Sequence, residues 1–334
     1  MLEALTDASR RVVRQTERWP LALSILALVI ATFASWLMAR AVGYPAIESA
    51  LRHTSLEWLV FLLGARVAAY AGYTLAHGST LAGARGSGIP VDRRMKLVAF
   101  GASATTLGGG FSLDRRAMER AGLTPKEATV RVLSLGMLEW ATLAPVAWVC
   151  ALTLLGSHRA HAAVTIPWAI GVPVGALLAA LAVRRLSPRA LERKGLAART
   201  LGRAIEALSL LPRQLRHPLR GGASLLGMSL YWAAEIASLW AALQAFGVET
   251  GFAVITLGYA TGHVLTPRSA PLSGAGVTEI LLPLSLSWVG PPLAGAVCAV
   301  WSYRVGILLL SIPPALLARA DVQRLVGTSG AKAG

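Results

Sequence analysis

Six long apolar blocks constrain the fold of this chain more than any other feature. Each is long enough to form the helix of roughly 20 residues that crosses a bilayer. Of the 334 residues, 55% are hydrophobic and 14% are charged, whereas a soluble protein carries about 25% charged residues. The sequence therefore predicts an all-α polytopic membrane protein with six crossing helices. The blocks are 20–42, 55–76, 128–155, 164–183, 222–246 and 291–318.

Two further apolar blocks contain helix-breaking residues. Residues 97–113 include four glycines, and residues 252–290 contain the stretch TPRSAPLSGAGVTEILLPL with Arg268 and Glu279. Irregular backbone cannot face lipid at membrane depth, because each unsatisfied polar group there costs several kcal/mol. We therefore expect each block to fold as a re-entrant hairpin that is buried among the crossing helices.

The basic residues orient these elements. The linker 184–221 contains ten Lys and Arg against two Glu, and basic residues also occur in the N-terminus, the 83–96 loop and the 319–334 tail. Loops rich in Lys and Arg stay on the cytoplasmic side. All of these basic segments lie on the cytoplasmic side if block 97–113 enters the membrane from the cytoplasm and block 252–290 enters it from outside. We expect both termini to be cytoplasmic, in a bacterial-type cytoplasmic (inner) membrane.

The two halves of the chain then carry similar broken elements in opposite orientation. The predicted units are a membrane half at 1–183, a linker at 184–221, a second membrane half at 222–318 and a tail at 319–334. The segments AGLTPKEA (121–128) and VGPPLAGA (289–296) each follow a glycine-rich break and precede a crossing helix. This arrangement predicts an inverted repeat, which is typical of transporters.

The linker alternates basic and apolar residues. This pattern predicts either an amphipathic helix on an anionic leaflet or a solvated connector.

The second half resembles a known family. The runs PLSGAGVTEILL and VGPPLAGAVCAVWSYRVGILL are similar to the C-terminal signature of the lysylphosphatidylglycerol synthase transmembrane family, also called flippase-like. Glu279 stands at the Glu of its Gly-x-x-Glu turn, and Tyr303 and Arg304 stand at its Tyr-Arg pair. In the first half, Asp114 and Arg115 lie near the family's acidic-basic position, out of strict register.

The resemblance covers most of residues 20–318. The family's usual Glu-Arg pair in the helix after the first break is replaced by Leu135 and Gly136, with an acidic residue kept at Glu139. The resemblance implies movement of aminoacylated phosphatidylglycerol between leaflets, by a chain without the soluble aminoacyltransferase domain that some members add.

Ionisable residues inside apolar blocks are candidates for a site, because charges at membrane depth are costly. Arg66, Tyr70, Tyr73 and His77 follow i, i+4, i+7 and i+11 spacing, which places them on one helix face. We predict His263 to be a satisfied core histidine. The predicted substrate-binding residues are Arg66, Asp114, Arg115, Glu139, Glu235, Arg268, Gly274, Gly276, Glu279, Tyr303 and Arg304.

Glu279 leaves two interpretations open. Arg268 and Arg304 are both candidate partners, and an Arg304–Glu279 pair is consistent with a structural ion pair as well as with a ligand contact. Arg268 lies at the apex of the broken segment, where free backbone N–H groups and a guanidinium would suit a phosphate.

These features favour a lipid translocase that shields a phosphate-bearing or anionic headgroup in a polar groove. The expected cargo is a phospholipid, an aminoacyl-phospholipid or a polyprenyl-phosphate lipid, and we expect no cofactor, no metal and no nucleic acid. Two alternatives remain: an integral-membrane enzyme acting on such lipids, and a scaffold for a separate transferase. An enzyme would need a close acid/base pair or a metal site, and the sequence contains no such spacing.

Overall fold

The computed structural model describes residues 20–317 apart from 53, 82–89, 103–108, 158–160, 189–190, 192–194, 217–220, 265 and 267–270. Arg268, the basic N-terminus, residues 83–89 of the 83–96 loop and the 319–334 tail therefore lie outside the described residues. The predictions made for these segments stay predictions.

The described residues form twelve α-helices and one short 3₁₀ turn at Pro271–Gly274, and they contain no strand. The helices are α1 (Pro20–Val42), α2 (Tyr44–Leu51), α3 (Leu56–Leu81), α4 (Val91–Ala102), α5 (Gly109–Arg120), α6 (Pro125–Ser157), α7 (Ala162–Arg185), α8 (Leu196–Arg216), α9 (Gly221–Ala245), α10 (Phe252–His263), α11 (Val277–Val289) and α12 (Leu293–Leu317).

The six predicted crossing segments are confirmed as helices that are long and apolar enough to span a bilayer. They lie in α1, α3, α6, α7, α9 and α12. The chain is thus a multi-pass, all-α membrane protein.

The second broken block is interrupted in the structure, where it divides into α10, the 3₁₀ turn and α11. In the first block, helices α4 and α5 lie on either side of residues 103–108. Helices α10 and α11 pack closely because α10 has glycines at the contact. A Cβ on Gly262 would lie 3.0 Å from the Cα of Leu282, and the Ser285 hydroxyl donates to the Gly258 carbonyl at 2.8 Å.

Helices α3 and α9 form the most extensive helix pair of the structure. Their backbones touch at two glycines. A Cβ on Gly72 would lie 2.7 Å from the Gly227 carbonyl oxygen, and one on Gly227 would lie 2.7 Å from the Gly72 carbonyl oxygen. Only residues without a side chain permit this approach, which is a common way for membrane helices to pack.

Helix α8 lies within the predicted linker. Its buried residues include Ile205 and Ala207, it packs mainly against α6, and Glu206 pairs with Lys126 of α6 at 3.3 Å. The apolar face of the linker helix is therefore directed at protein, an arrangement that neither sequence-based alternative described.

Substitution at the glycine contact should separate α3 from α9. We expect Gly72→Val and Gly227→Val each to lower the free energy of unfolding by about 1–3 kcal/mol or more, since overpacking costs that much even where side chains can adjust. Thermal unfolding in detergent measures the effect. Gly64→Val is the matched control on α3, because a Cβ there meets nothing within 4 Å. Equal melting temperatures for all three variants would contradict the close contact.

Candidate functional site

A cavity of about 110 Å³ lies among the helices, and both broken blocks contribute to its wall. Gly101 of α4 comes from the first block, and Thr266 and Thr278 come from the second. Crossing helices α3, α9 and α12 supply the charged groups and two of the three phenolic groups, and α10 supplies the third, Tyr259. The other lining residues are Arg66, Tyr231, Glu235, Tyr259, Gly262, His263, Leu282, Tyr303, Arg304 and Ile307.

The first ion pair of the cavity joins α3 to α9. Arg66 forms a buried salt bridge with Glu235, and the hydroxyl of Tyr303 donates to the same carboxylate. The Tyr259 hydroxyl lies 3.4 Å from that carboxylate oxygen. The Arg66 guanidinium also lies 5.3 Å from the centre of the Tyr303 ring, close enough for a cation–π contact. Three further helices thus hold the α3 cation through Glu235 and its hydroxyl donors.

The second ion pair joins α11 to α12. The Nε of Arg304 donates to Glu279 Oε1 at 2.6 Å, and the other oxygen of Glu279 accepts the backbone N–H of Gly276 at 2.7 Å. Glu279 therefore satisfies an unpaired N–H at the start of α11, where a carboxylate also complements the helix dipole.

Two glycines shape the turn before α11. Gly274 and Gly276 have φ of +70° and +85°, a region that residues with a Cβ rarely adopt. The Thr278 hydroxyl donates to the Gly274 carbonyl at 3.1 Å. The two predicted glycines thus place Glu279 in reach of Arg304, rather than lining the cavity themselves.

Two other predicted residues contact α3 away from the cavity. Tyr73 donates to Glu139 at 2.8 Å, and His77 Nε2 lies 2.9 Å from Asp114 Oδ1. Glu139 and Asp114 are both buried. Neither lines the cavity, but each binds the face of α3 that also carries Arg66.

Arg115 is a predicted site residue that does not line the cavity. Its side chain is 45% exposed and lies 3.5 Å from Glu119 one helical turn away. Arg268 lies outside the described residues.

Sequence reasoning missed the aromatic wall of the cavity. His263, predicted as a core residue, lines the cavity and stacks on Tyr259 with ring centres 5.6 Å apart. Trp232 packs edge-on against His263. The i, i+4, i+7 spacing of Tyr259, His263 and Thr266 on the first leg of the broken block was the available signal.

The charges of the described cavity wall balance. Arg66 is matched by Glu235, and Arg304 is matched by Glu279. The two described ion pairs therefore add no net positive charge to the cavity. The expected preference for an anionic headgroup would need either the charge of Arg268 or an arginine that exchanges its carboxylate partner for the phosphate of the lipid. Among the described residues, no group of three or more His, Cys, Asp or Glu could hold a metal ion.

The chain matches no model of a known protein family, and no curated protein matches it significantly.

The Arg304–Glu279 pair can be tested as a unit. We expect Glu279→Gln and Arg304→Met each to destabilise the protein by about 3–5 kcal/mol, because each leaves a buried charge without its partner. The double variant should recover much of this loss, since no lone charge remains. Thermal unfolding in detergent of the wild type, the two single variants and the double variant gives the coupling free energy between Glu279 and Arg304.

The exposed pair Arg115–Glu119 provides the control, where single changes should cost about 1 kcal/mol or less. Additive losses in the Glu279/Arg304 double variant would contradict a coupled buried pair.

Proposed function

We propose that this protein is a lipid translocase, which moves a lipid with a phosphate-bearing headgroup between the two leaflets. The observation that carries the proposal is the cavity where the two broken blocks meet: Arg66, Glu235 and Arg304 line it, Arg66 pairs with Glu235, and Arg304 pairs with the buried Glu279. A bundle that only anchors a protein in the bilayer has no need of such costly groups at depth.

The proposed cargo follows from the donors. A guanidinium has five N–H groups, so a contact with one carboxylate leaves others to meet a phosphate, and Arg binds phosphate in a two-pronged geometry. Arg66 and Arg304 would hold the phosphate, with the hydroxyls of Tyr259 and Tyr303 and the carboxylate of Glu235 around it. A cavity of about 110 Å³ accommodates part of a headgroup, while the acyl or prenyl chains stay in lipid.

We further propose that the broken blocks are re-entrant hairpins of opposite orientation, related by an inverted repeat. Helices α4, α5 and α10 have 12 residues each and α11 has 13. At 1.5 Å per residue each is about 18–20 Å long, well short of the roughly 30 Å of hydrocarbon. Helix α5 also contacts the 3₁₀ turn of the second block. Both facts support legs that turn back near the midplane.

The resemblance to the flippase-like family supports the same class of cargo. Its signature residues Glu279, Tyr303 and Arg304 fall in the two ion-pair networks around the cavity. Anionic or phosphate lipids of a bacterial-type cytoplasmic membrane are accordingly the proposed partners, and aminoacylated phosphatidylglycerol is one candidate.

Orientation can be tested by cysteine labelling in intact cells. The natural Cys150 and Cys298 are buried, so new cysteines give the signal. With both termini inside, a cysteine at Glu249 should react with an impermeant maleimide from outside, and cysteines at Lys126 and Arg199 should react only after permeabilisation. External labelling of Arg199 would overturn the proposed topology.

Lipid movement can be tested in proteoliposomes that contain a headgroup-intact phospholipid with a fluorescent acyl chain, reduced from outside by dithionite. The wild-type protein should accelerate exchange between leaflets. Arg66→Lys should slow it about tenfold or more, because a charge-assisted hydrogen bond contributes about 1.5–3 kcal/mol and Lys cannot reproduce the two-pronged contact.

Arg52→Lys is the matched control, since Arg52 pairs with Glu48 on the exposed surface. Exchange no faster than in protein-free liposomes, tested across phospholipid, aminoacyl-phospholipid and polyprenyl-phosphate probes, would overturn the proposed function. An unchanged rate in Arg66→Lys would remove Arg66 from the site.

A further inference from the structure

Three of the polar side chains on one face of α3 each bind a buried carboxylate from a different helix. Arg66 binds Glu235 of α9, Tyr73 binds Glu139 of α6, and His77 binds Asp114 of α5. The first contact belongs to the cavity. The residues of the other two contacts do not line the cavity.

The His77–Asp114 pair has the properties of a proton site. Both side chains are 0% exposed, and their facing atoms are 2.9 Å apart. In the part of the chain that the structure describes, the other ring nitrogen of His77 and the other carboxylate oxygen of Asp114 have no hydrogen-bond partner. The pair therefore has an additional position on each side at which a proton can arrive or leave.

The charge of this pair changes with its proton. With the proton shared, the pair is neutral as a whole, either as imidazolium and carboxylate or as imidazole and carboxylic acid. Without it, a buried carboxylate is left with net charge −1, and a nearby cation lowers the cost of that state. The nearest cation that the described contacts give is Arg94 of α4, whose guanidinium packs against Gly78, the residue after His77: its Nη1 lies 1.2 Å from where a Cβ of Gly78 would be.

Polar groups continue from this pair to the cavity. The Tyr73 ring lies 6.4 Å from the His77 ring and 5.1 Å from the ring of Tyr231, which lines the cavity. From His77 to Arg66 the helix rises about 16 Å, roughly half of the hydrocarbon thickness. The titratable or charged groups along this route are Arg94 of α4, Asp114 of α5, Glu139 of α6, Tyr231 and Glu235 of α9, and Tyr303 and Arg304 of α12.

We infer that His77 and Asp114 form a proton-binding pair and that this face of α3 conducts protons between the pair and the cavity, which couples lipid movement to a proton gradient. The inference rests on the proposed function. In each step a proton leaves one oxygen or nitrogen and binds the next: from the His77–Asp114 pair to the Glu139 carboxylate, and from the resulting acid to Glu235. The Tyr73 hydroxyl and water bridge the longer intervals, and no other bond changes.

Two measurements on the full-length protein test the inference. The first is infrared spectroscopy of the protein in nanodiscs to which no cargo lipid has been added. In such spectra a protonated carboxyl group absorbs at a different frequency from a carboxylate. We expect a carboxyl band that titrates with pH in the wild type and is lost in Asp114→Asn. Glu206→Gln is the control, because this acid lies on α8, pairs with Lys126 and has no contact with the polar face of α3 among the described contacts, so its replacement should leave the band in place.

The second measurement is the ratio of leaflet exchange with and without an imposed pH gradient, using the same fluorescent phospholipid. The wild-type ratio should exceed one and should depend on the direction of the gradient. His77→Gln, Asp114→Asn and Glu139→Gln should bring the ratio to one, and Glu206→Gln should not. The amide of the glutamine in His77→Gln can still donate a hydrogen bond to Asp114. This variant therefore provides the test of the proton site if Asp114→Asn does not fold.

The outcomes separate the two proposals. If no titrating band is sensitive to Asp114→Asn or His77→Gln, the proton site is overturned. If the wild type moves lipid at a rate that ignores the gradient, the coupling is overturned and the translocase stands. If the wild type moves no lipid, the translocase and its coupling both fail, while the infrared band still decides the proton site.

Discussion

The contact between the backbones of α3 and α9 at Gly72 and Gly227 sets the geometry on which the rest of the structure depends. Because neither helix has a side chain there, the two axes approach closely and hold the polar faces of both helices in register. Arg66 and Glu235 meet two turns or so from this contact. A wider spacing would leave both charges buried without partners, which costs far more than the pair itself contributes.

Pairing of charges explains both the stability and the location of the site. At membrane depth a lone charge is penalised, and in the described cavity each guanidinium has a carboxylate partner. Glu279 adds a second role, since it also accepts the N–H of Gly276, the residue that caps the start of α11. One residue thus stabilises the end of a helix in the broken block and neutralises a cation in the neighbouring crossing helix. The conformation of the turn before α11 and the charge balance of Arg304 therefore depend on the same carboxylate.

The six crossing helices could be predicted from the sequence because length and apolar composition are properties of one segment at a time. The polar stripe of α3 was also visible, since helical periodicity places Arg66, Tyr73 and His77 on one face. Their partners were not, because Glu235, Glu139 and Asp114 lie on three other helices whose packing depends on glycine contacts. The inward face of α8 was missed for the same reason: an amphipathic pattern does not say whether its apolar face meets lipid or protein.

The balance of charge in the two cavity pairs has a consequence for the response to membrane voltage. One elementary charge that crosses the membrane potential changes in energy by about 2.3 kcal/mol per 100 mV. Arg66 with Glu235, and Arg304 with Glu279, each sum to zero, so the field does little net work on either pair when the helices that carry it move together. The voltage then acts mainly on what passes through the cavity, and the dependence of the rate on voltage becomes a measure of the charge of the cargo and of any proton that accompanies it.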